Sequence, residues 1–132
     1  MQGSISAGAP TAGAEKLAEV RGKNWATPDL MPGAVGIRRP IRVSFAADRL
    51  VLIPEKGTRE ELQVFRHGGR LATVIDPFVD AVRERMQSWG IAGQGIYWRP
   101  IVRAEVRQGA EDDFLEMVRL LEDSGIEVAK QP

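Results

Sequence analysis

The stretch WGIAGQGIYWRP, residues 89–100, packs three glycines, two tryptophans, a tyrosine and an arginine into one short segment. No other stretch bears as directly on function. If Gly90, Gly93 and Gly95 form a phosphate cradle, the chain is a nucleotide enzyme; if they form a bend, they only join two elements. A dinucleotide fingerprint runs G-x-G-x-x-G, follows a strand and opens a helix, so that helix N-terminal amides meet the pyrophosphate. Here the order is G-x-x-G-x-G, and no Walker lysine follows. What precedes it reads as a helix, so the loop would touch a helix C-terminus, whose partial negative charge repels phosphate. The glycines therefore read as a helix stop and a short link into a strand.

The upstream helix is "DPFVDAVRERMQSWG". Asp76 suits an N-cap, Pro77 a first helical position, and Gly90 the residue beyond the last turn. Phe78, Val82, Met86 and Trp89 recur at helical spacing with Val79 beside them, while Asp80, Arg83, Glu84, Arg85 and Gln87 read as the wet side. Downstream, "IYWRPIVRAEV" alternates. Trp98, Val102, Ala104 and Val106 form one face, and Tyr97, Arg99, Arg103 and Glu105 the other. Pro100 has no N–H to give a ladder, which predicts an edge strand or one that begins after the proline.

A second amphipathic helix follows in "GAEDDFLEMVRLLEDSG". Phe114, Met117, Val118 and Leu121 form its stripe, with Leu115 and Leu120 flanking. Glu111, Asp112 and Asp113 sit at its positive end, where carboxylates are favoured. Gly125 stops it, and "IEVAK" reads as a last short strand.

Ahead of these elements, "IRVSFAADRLVLIPE" reads as a hairpin. Ile41, Val43 and Phe45 alternate with Arg42 and Ser44, "AADR" reverses the chain, and Leu50 to Ile53 return. The segment "LQVFRHGGRLATVI" admits a second hairpin about Gly68-Gly69 or an irregular excursion. Residues 14–23 suit a short helix through Leu17 and Val20. "TPDLMPGAVGIRRP" reads as an extended loop pinned by Trp25, Leu30, Met31 and Val35. The order β-β-α-β-α-β predicts an α+β two-layer sandwich, with both helices on one face of a mixed sheet. Residues 1–36 are expected to be a flexible linker or extended segment, exposed by truncation of a longer protein, and 37–132 a single domain.

Composition removes several function classes. Eighteen basic residues balance eighteen acidic ones, so no net field favours nucleic acid or anionic lipid. The absence of cysteine excludes disulfides, thiol nucleophiles and cysteine-ligated metal. No apolar run approaches a membrane span. His67 is the only histidine; set in "RHGGR", it reads as an exposed turn residue. The acidic triplet 111–113 suits helix capping better than metal binding. No catalytic residue, cofactor site or metal site is expected.

Arg38, Arg39 and Arg42 would form a basic patch with Arg99 and Arg103 if their strands were neighbours. Electroneutrality favours solvated charges balanced by Glu55, Glu60 and Glu105. Of the aromatic residues, Trp89 belongs to a core stripe, leaving Tyr97 and Arg99 as the better ligand contacts.

The element order, together with "IVRAEVRQGAEDDFLEMVRLLEDSGIEVA" (101–129), resembles the soluble domain of the TolR/ExbD family, accessory subunits of proton-driven envelope motors. Val102–Val106, the turn 107–110, Leu120-Leu121, Gly125-Ile126 and Val128 carry the likeness, while residues 89–100 lie outside it. The family's transmembrane helix and its acidic residue have no counterpart here, so no proton-path role carries over. The resemblance implies an envelope-facing domain of a membrane-anchored protein that dimerises or contacts a protein or cell-wall material. The expected contact is the Tyr97, Arg99 and Arg103 face with an exposed sheet edge, available for dimerisation by strand addition. The alternative is a small-molecule-binding domain or enzyme with a pocket near 90–99, using Tyr97, Arg99 and His67.

Overall fold

The computed structural model describes residues 16–27 and 34–131. In chain order the elements are α1 (Ala18–Arg21), β1 (Val35–Ala46), β2 (Arg49–Leu52), β3 (Gln63–Arg66), a 3-10 turn (Leu71–Val74), α2 (Ile75–Ser88), β4 (Ile96–Val106), α3 (Glu111–Leu120) and β5 (Glu127–Lys130). The five strands form one mixed sheet in the order β3-β2-β1-β4-β5. The two pairs on the β3 side are antiparallel, and β1/β4 and β4/β5 are parallel. Parallel neighbours need a crossover, which α2 and α3 supply.

Period-two alternation sorts the strand residues. Ile41, Val43 and Phe45 of β1, Leu50 and Leu52 of β2, and Val102 and Ala104 of β4 join one buried cluster with Phe78 and Val82 of α2 and Met117 and Leu120 of α3. Phe45 meets Phe114 edge-on at 5.9 Å, and Phe65 meets Phe78 at 5.7 Å. The molecule is thus an α+β two-layer sandwich. Both helices cover one face of the sheet, and among the described residues no helix covers the other.

Several elements differ from the sequence reading, each for a physical reason. Strand β1 begins at Val35, six residues before the alternation becomes visible, because it pairs with β4 from Val35↔Ile96 onward. "QVFR" becomes a third antiparallel strand on β2, and His67-Gly68-Gly69 leads into the 3-10 turn, so no hairpin turns about Gly68-Gly69. Since α2 continues directly from that turn, Asp76 is not its N-cap. Asp76 sits in the first turn instead, where its carboxylate takes the Arg21 guanidinium at 2.6 Å. Arg85, expected on the wet side, is 5% exposed and pairs with Glu60 at 3.2 Å.

The short α1 segment packs on the body rather than standing apart. Leu17 donates its backbone N–H to the Leu120 carbonyl, Lys16 pairs with Asp123 at 2.8 Å, and Ala26 is fully buried. Residues 1–13, Leu30 and Met31 lie outside the described residues.

The expectation that Pro100 marks an edge strand, or the true start of its strand, is overturned. β4 lies between β1 and β5, starts at Ile96, and pairs with β1 along its whole length. The Ala104 carbonyl accepts from the Gln131 N–H, so its polar groups face the β5 side. Alternation puts Pro100 nitrogen on that side too. The first β4–β5 pair is Ile101↔Glu127, so the missing N–H falls before that ladder starts and costs no bond. The edges are β3 and β5.

Candidate functional site

Register brings the predicted residues together. The parallel β1/β4 ladder sets Gly36 beside Tyr97, Arg38 beside Arg99, and Arg42 beside Arg103. All six lie on the uncovered face, opposite the side chains of Ile41, Val43, Val102 and Ala104. At Gly36 an added Cβ would come within 2.5 Å of Arg99 Cδ and 2.9 Å of Tyr97 Cζ. Glycine there lets both side chains lean across β1. Ile101, 2% exposed and absent from the core cluster, is an apolar floor between Arg99 and Arg103.

None of the carboxylates expected to balance the arginines reaches the four on this face. Glu55 pairs with Arg39 on the helix side of the sheet, Glu60 with Arg85, and Glu105 with Arg107. Instead Glu127 of β5 bridges one cross-strand pair, with Oε1 3.2 Å from Arg38 and Oε2 3.1 Å from Arg99. Among the described residues Arg42 and Arg103 make no ion pair. The five strands carry eight basic and two acidic residues. α3 carries Glu111, Asp112, Asp113 and Glu116 against Arg119. A chain of zero net charge is therefore polarised, basic along the sheet and acidic along α3.

The opposite face of the same strands holds a cluster that sequence reasoning missed. Arg39 lies over the rings of Trp89 and Trp98, 4.5 Å and 5.1 Å from their centroids, and reaches Glu55 at 2.9 Å. Trp89 donates its indole N–H to Glu55, and Trp98 donates its own to the Gly90 carbonyl at 2.9 Å. Burial alone would raise the Glu55 carboxyl. The hydrogen bond from Trp89 and the Arg39 guanidinium outweigh that, holding it below its ordinary value. The glycine segment thus ends α2, with Gly90 at φ 74, and carries the chain between two tryptophans that clamp Arg39.

His67 is buried rather than exposed, its side chain 0% accessible. Its backbone N–H donates to the Asp48 carbonyl, and Nδ1 accepts the Gly69 N–H at 3.0 Å, so the neutral ring carries its proton on Nε2. Nε2 lies 3.7 Å from Asp113 and has no hydrogen-bond partner among the described residues. Burial pushes the carboxyls of Asp113 and Glu116 up, with Asp112 adding at the first and Asp113 at the second. His67 follows β3, at the far edge of the sheet from β5. It does not join Tyr97 and Arg99.

Tyr97 and Arg99 also line a cavity of about 300 Å³ with Lys23, Thr27, Asp123 and Glu127. Among the described residues the buried Thr27 hydroxyl has no hydrogen-bond partner. Among the described residues no three His, Asp or Glu side chains cluster to hold a metal, and no helix is long and apolar enough to cross a membrane.

These observations describe an α+β sandwich with an arginine-lined sheet face that no helix of the described residues covers. In comparisons with known proteins the chain matches no family model, no curated protein and no solved structure.

Proposed function

We propose that this chain is a non-catalytic protein-interaction module whose contact surface is the uncovered sheet face around Tyr97, Arg99 and Arg103. The observation that carries the reading is the registered pairing Arg38↔Arg99 and Arg42↔Arg103 on that face. Packing does not account for four guanidiniums on two adjacent strands, since such like-charge neighbours cost stability in the isolated chain. Arg and Tyr are also the residues that interfaces favour. The likeness of residues 101–129 to the TolR/ExbD soluble domain is what supports kinship with an envelope-facing accessory domain, and with it a location at the cell envelope. Self-association is reassigned from β4 to the β3 and β5 edges. An isologous dimer through the open face would oppose arginine with arginine, so that face suits a different partner.

Photo-cross-linking in the full-length protein, in its own cells, tests the reading. A benzoylphenylalanine replacing Tyr97 is expected to trap a defined partner, and the same probe replacing Glu84 on the outer side of α2 is expected to trap none. Equal yields at the two positions, or none at Tyr97, would sink it.

The cavity beside Tyr97 and Arg99 favours a second reading, a small-molecule-binding domain. Its test is thermal shift against a panel of nucleotides and sugars: one ligand would raise the melting temperature by several degrees, and Arg99→Ala would abolish that rise. A flat panel refutes it.

A further inference from the structure

The two arginine pairs on the open face are chemically alike and differently satisfied. Glu127 spans Arg38 and Arg99 with one carboxylate oxygen on each guanidinium. Four residues on, about 13 Å along the strands, Arg42 and Arg103 repeat the arrangement with no carboxylate among the described residues. The cause lies in β5. Glu127 registers with Ile101 and reaches back to Arg99. The matching position for Arg103 is four residues later, Gln131, which is neutral, and the residue that registers with Arg103 itself is Ala129. The strand that completes the first pair supplies nothing to the second.

We infer that the Arg42/Arg103 pair is the binding site for a carboxylate of an acidic polypeptide partner, held as Glu127 is held by Arg38 and Arg99. The inference rests on the open face being a contact surface, and it names the chemistry that face would recognise. Two guanidiniums on neighbouring strands match the two oxygens of one carboxylate, and such charge-assisted bonds are roughly twice as strong as neutral ones. Further arginines on the same face, Arg49 and Arg66, register with each other on β2 and β3. Arg49 is paired with Asp48 at 3.3 Å, so Arg66 carries the field toward the β3 edge, where acidic residues flanking the bound one would also be attracted. Nucleic acid fits less well. Tyr97 is the only aromatic of the described strands on this face, and Glu105 and Glu127 would repel a phosphate backbone.

The test is titration of fluorescein-labelled decaglutamate into the chain, followed by anisotropy at low and moderate salt. Binding is expected at low salt, weakening as salt rises. The double substitution Arg42→Gln/Arg103→Gln is expected to raise Kd at least tenfold. Arg83→Gln, on the exposed side of α2, is expected to leave it unchanged. Gln131→Glu gives an independent arm, because it supplies an internal carboxylate where Glu127 has its counterpart. It should also weaken decaglutamate binding, while slightly raising the melting temperature. Equal affinity for the chain and the double variant would overturn the inference. So would tighter, arginine-dependent binding of a ten-residue oligothymidylate, which would assign the face to nucleic acid. If decaglutamate fails while Tyr97 still cross-links a partner, only the acidic class falls. If the cross-link is lost too, the contact surface itself falls.

Discussion

Arg38 and Arg39 are adjacent in sequence and opposite in circumstance. Arg39 points to the helix side, clamped between two indoles and tied to a carboxylate whose other oxygen is held by Trp89. Arg38 points to the open side, 61% exposed, and shares Glu127 with Arg99. One residue of alternation separates a guanidinium used as structure from one available for recognition. Identity of side chain says little about role here; the face decides.

That contrast can be broken by mutation. On the helix side, Phe45→Ala removes a fully buried ring in contact with Phe114. It is expected to cost about 3–4 kcal/mol by urea denaturation. A loss below about 1 kcal/mol would mean the core is not where β1 and α3 put it. Arg39→Ala leaves Glu55 and both indoles without their cation. The expected loss is about 2 kcal/mol, below the range for a fully buried pair because both partners keep some exposure. Arg38→Ala, one position away, should change stability by no more than about 0.5 kcal/mol. Similar losses for Arg38→Ala and Arg39→Ala would erase the distinction between the faces.

Acid sharpens the same comparison. Glu55 has its folded-state pKa lowered, so its contribution is present above the ordinary carboxylate range and lost as pH falls through the depressed value. The melting temperature of the chain should therefore exceed that of Glu55→Gln at neutral pH. The gap should close below the ordinary carboxylate range. A gap that stays constant down to strong acid would mean that the Glu55 charge contributes nothing to the clamp. The smallest effect is expected at the unsatisfied pair. Arg42→Gln relieves repulsion from Arg103 and should leave stability unchanged or raise it by about 0.3 kcal/mol. A clear loss in thermal melts would show that Arg42 has a structural partner.

Legibility followed the range of the signal. α2, α3, the 41–53 hairpin and the two faces of β4 are all local patterns, with periods of two or about 3.6 residues, and they stand in the structure largely as read. The first half of β1 was hidden because "VGIRRP" carries a glycine, a proline and exposed side chains; only its partner β4 makes it a strand. β3 was hidden because a four-residue, mostly exposed strand has no pattern of its own. His67 and Arg85 looked exposed because their burial depends on elements remote in sequence: Asp113 of α3 for one, Glu60 before β3 for the other.

The candidate site divides along the same line. Sequence alone determined that Tyr97, Arg99 and Arg103 share one face of their strand, since alternation is a property of the extended backbone itself. It determined as well that Gly90 stops a helix and that Gly93 and Gly95 fall in the short link to a strand. Tertiary pairing alone sets Arg38 and Arg42 beside Arg99 and Arg103, brings Glu127 to one pair, and brings no carboxylate of the described residues to the other. Parallel pairing joins strands more than fifty residues apart, and their register is set by how α2 and the core seat β4 against β1, which no local pattern encodes.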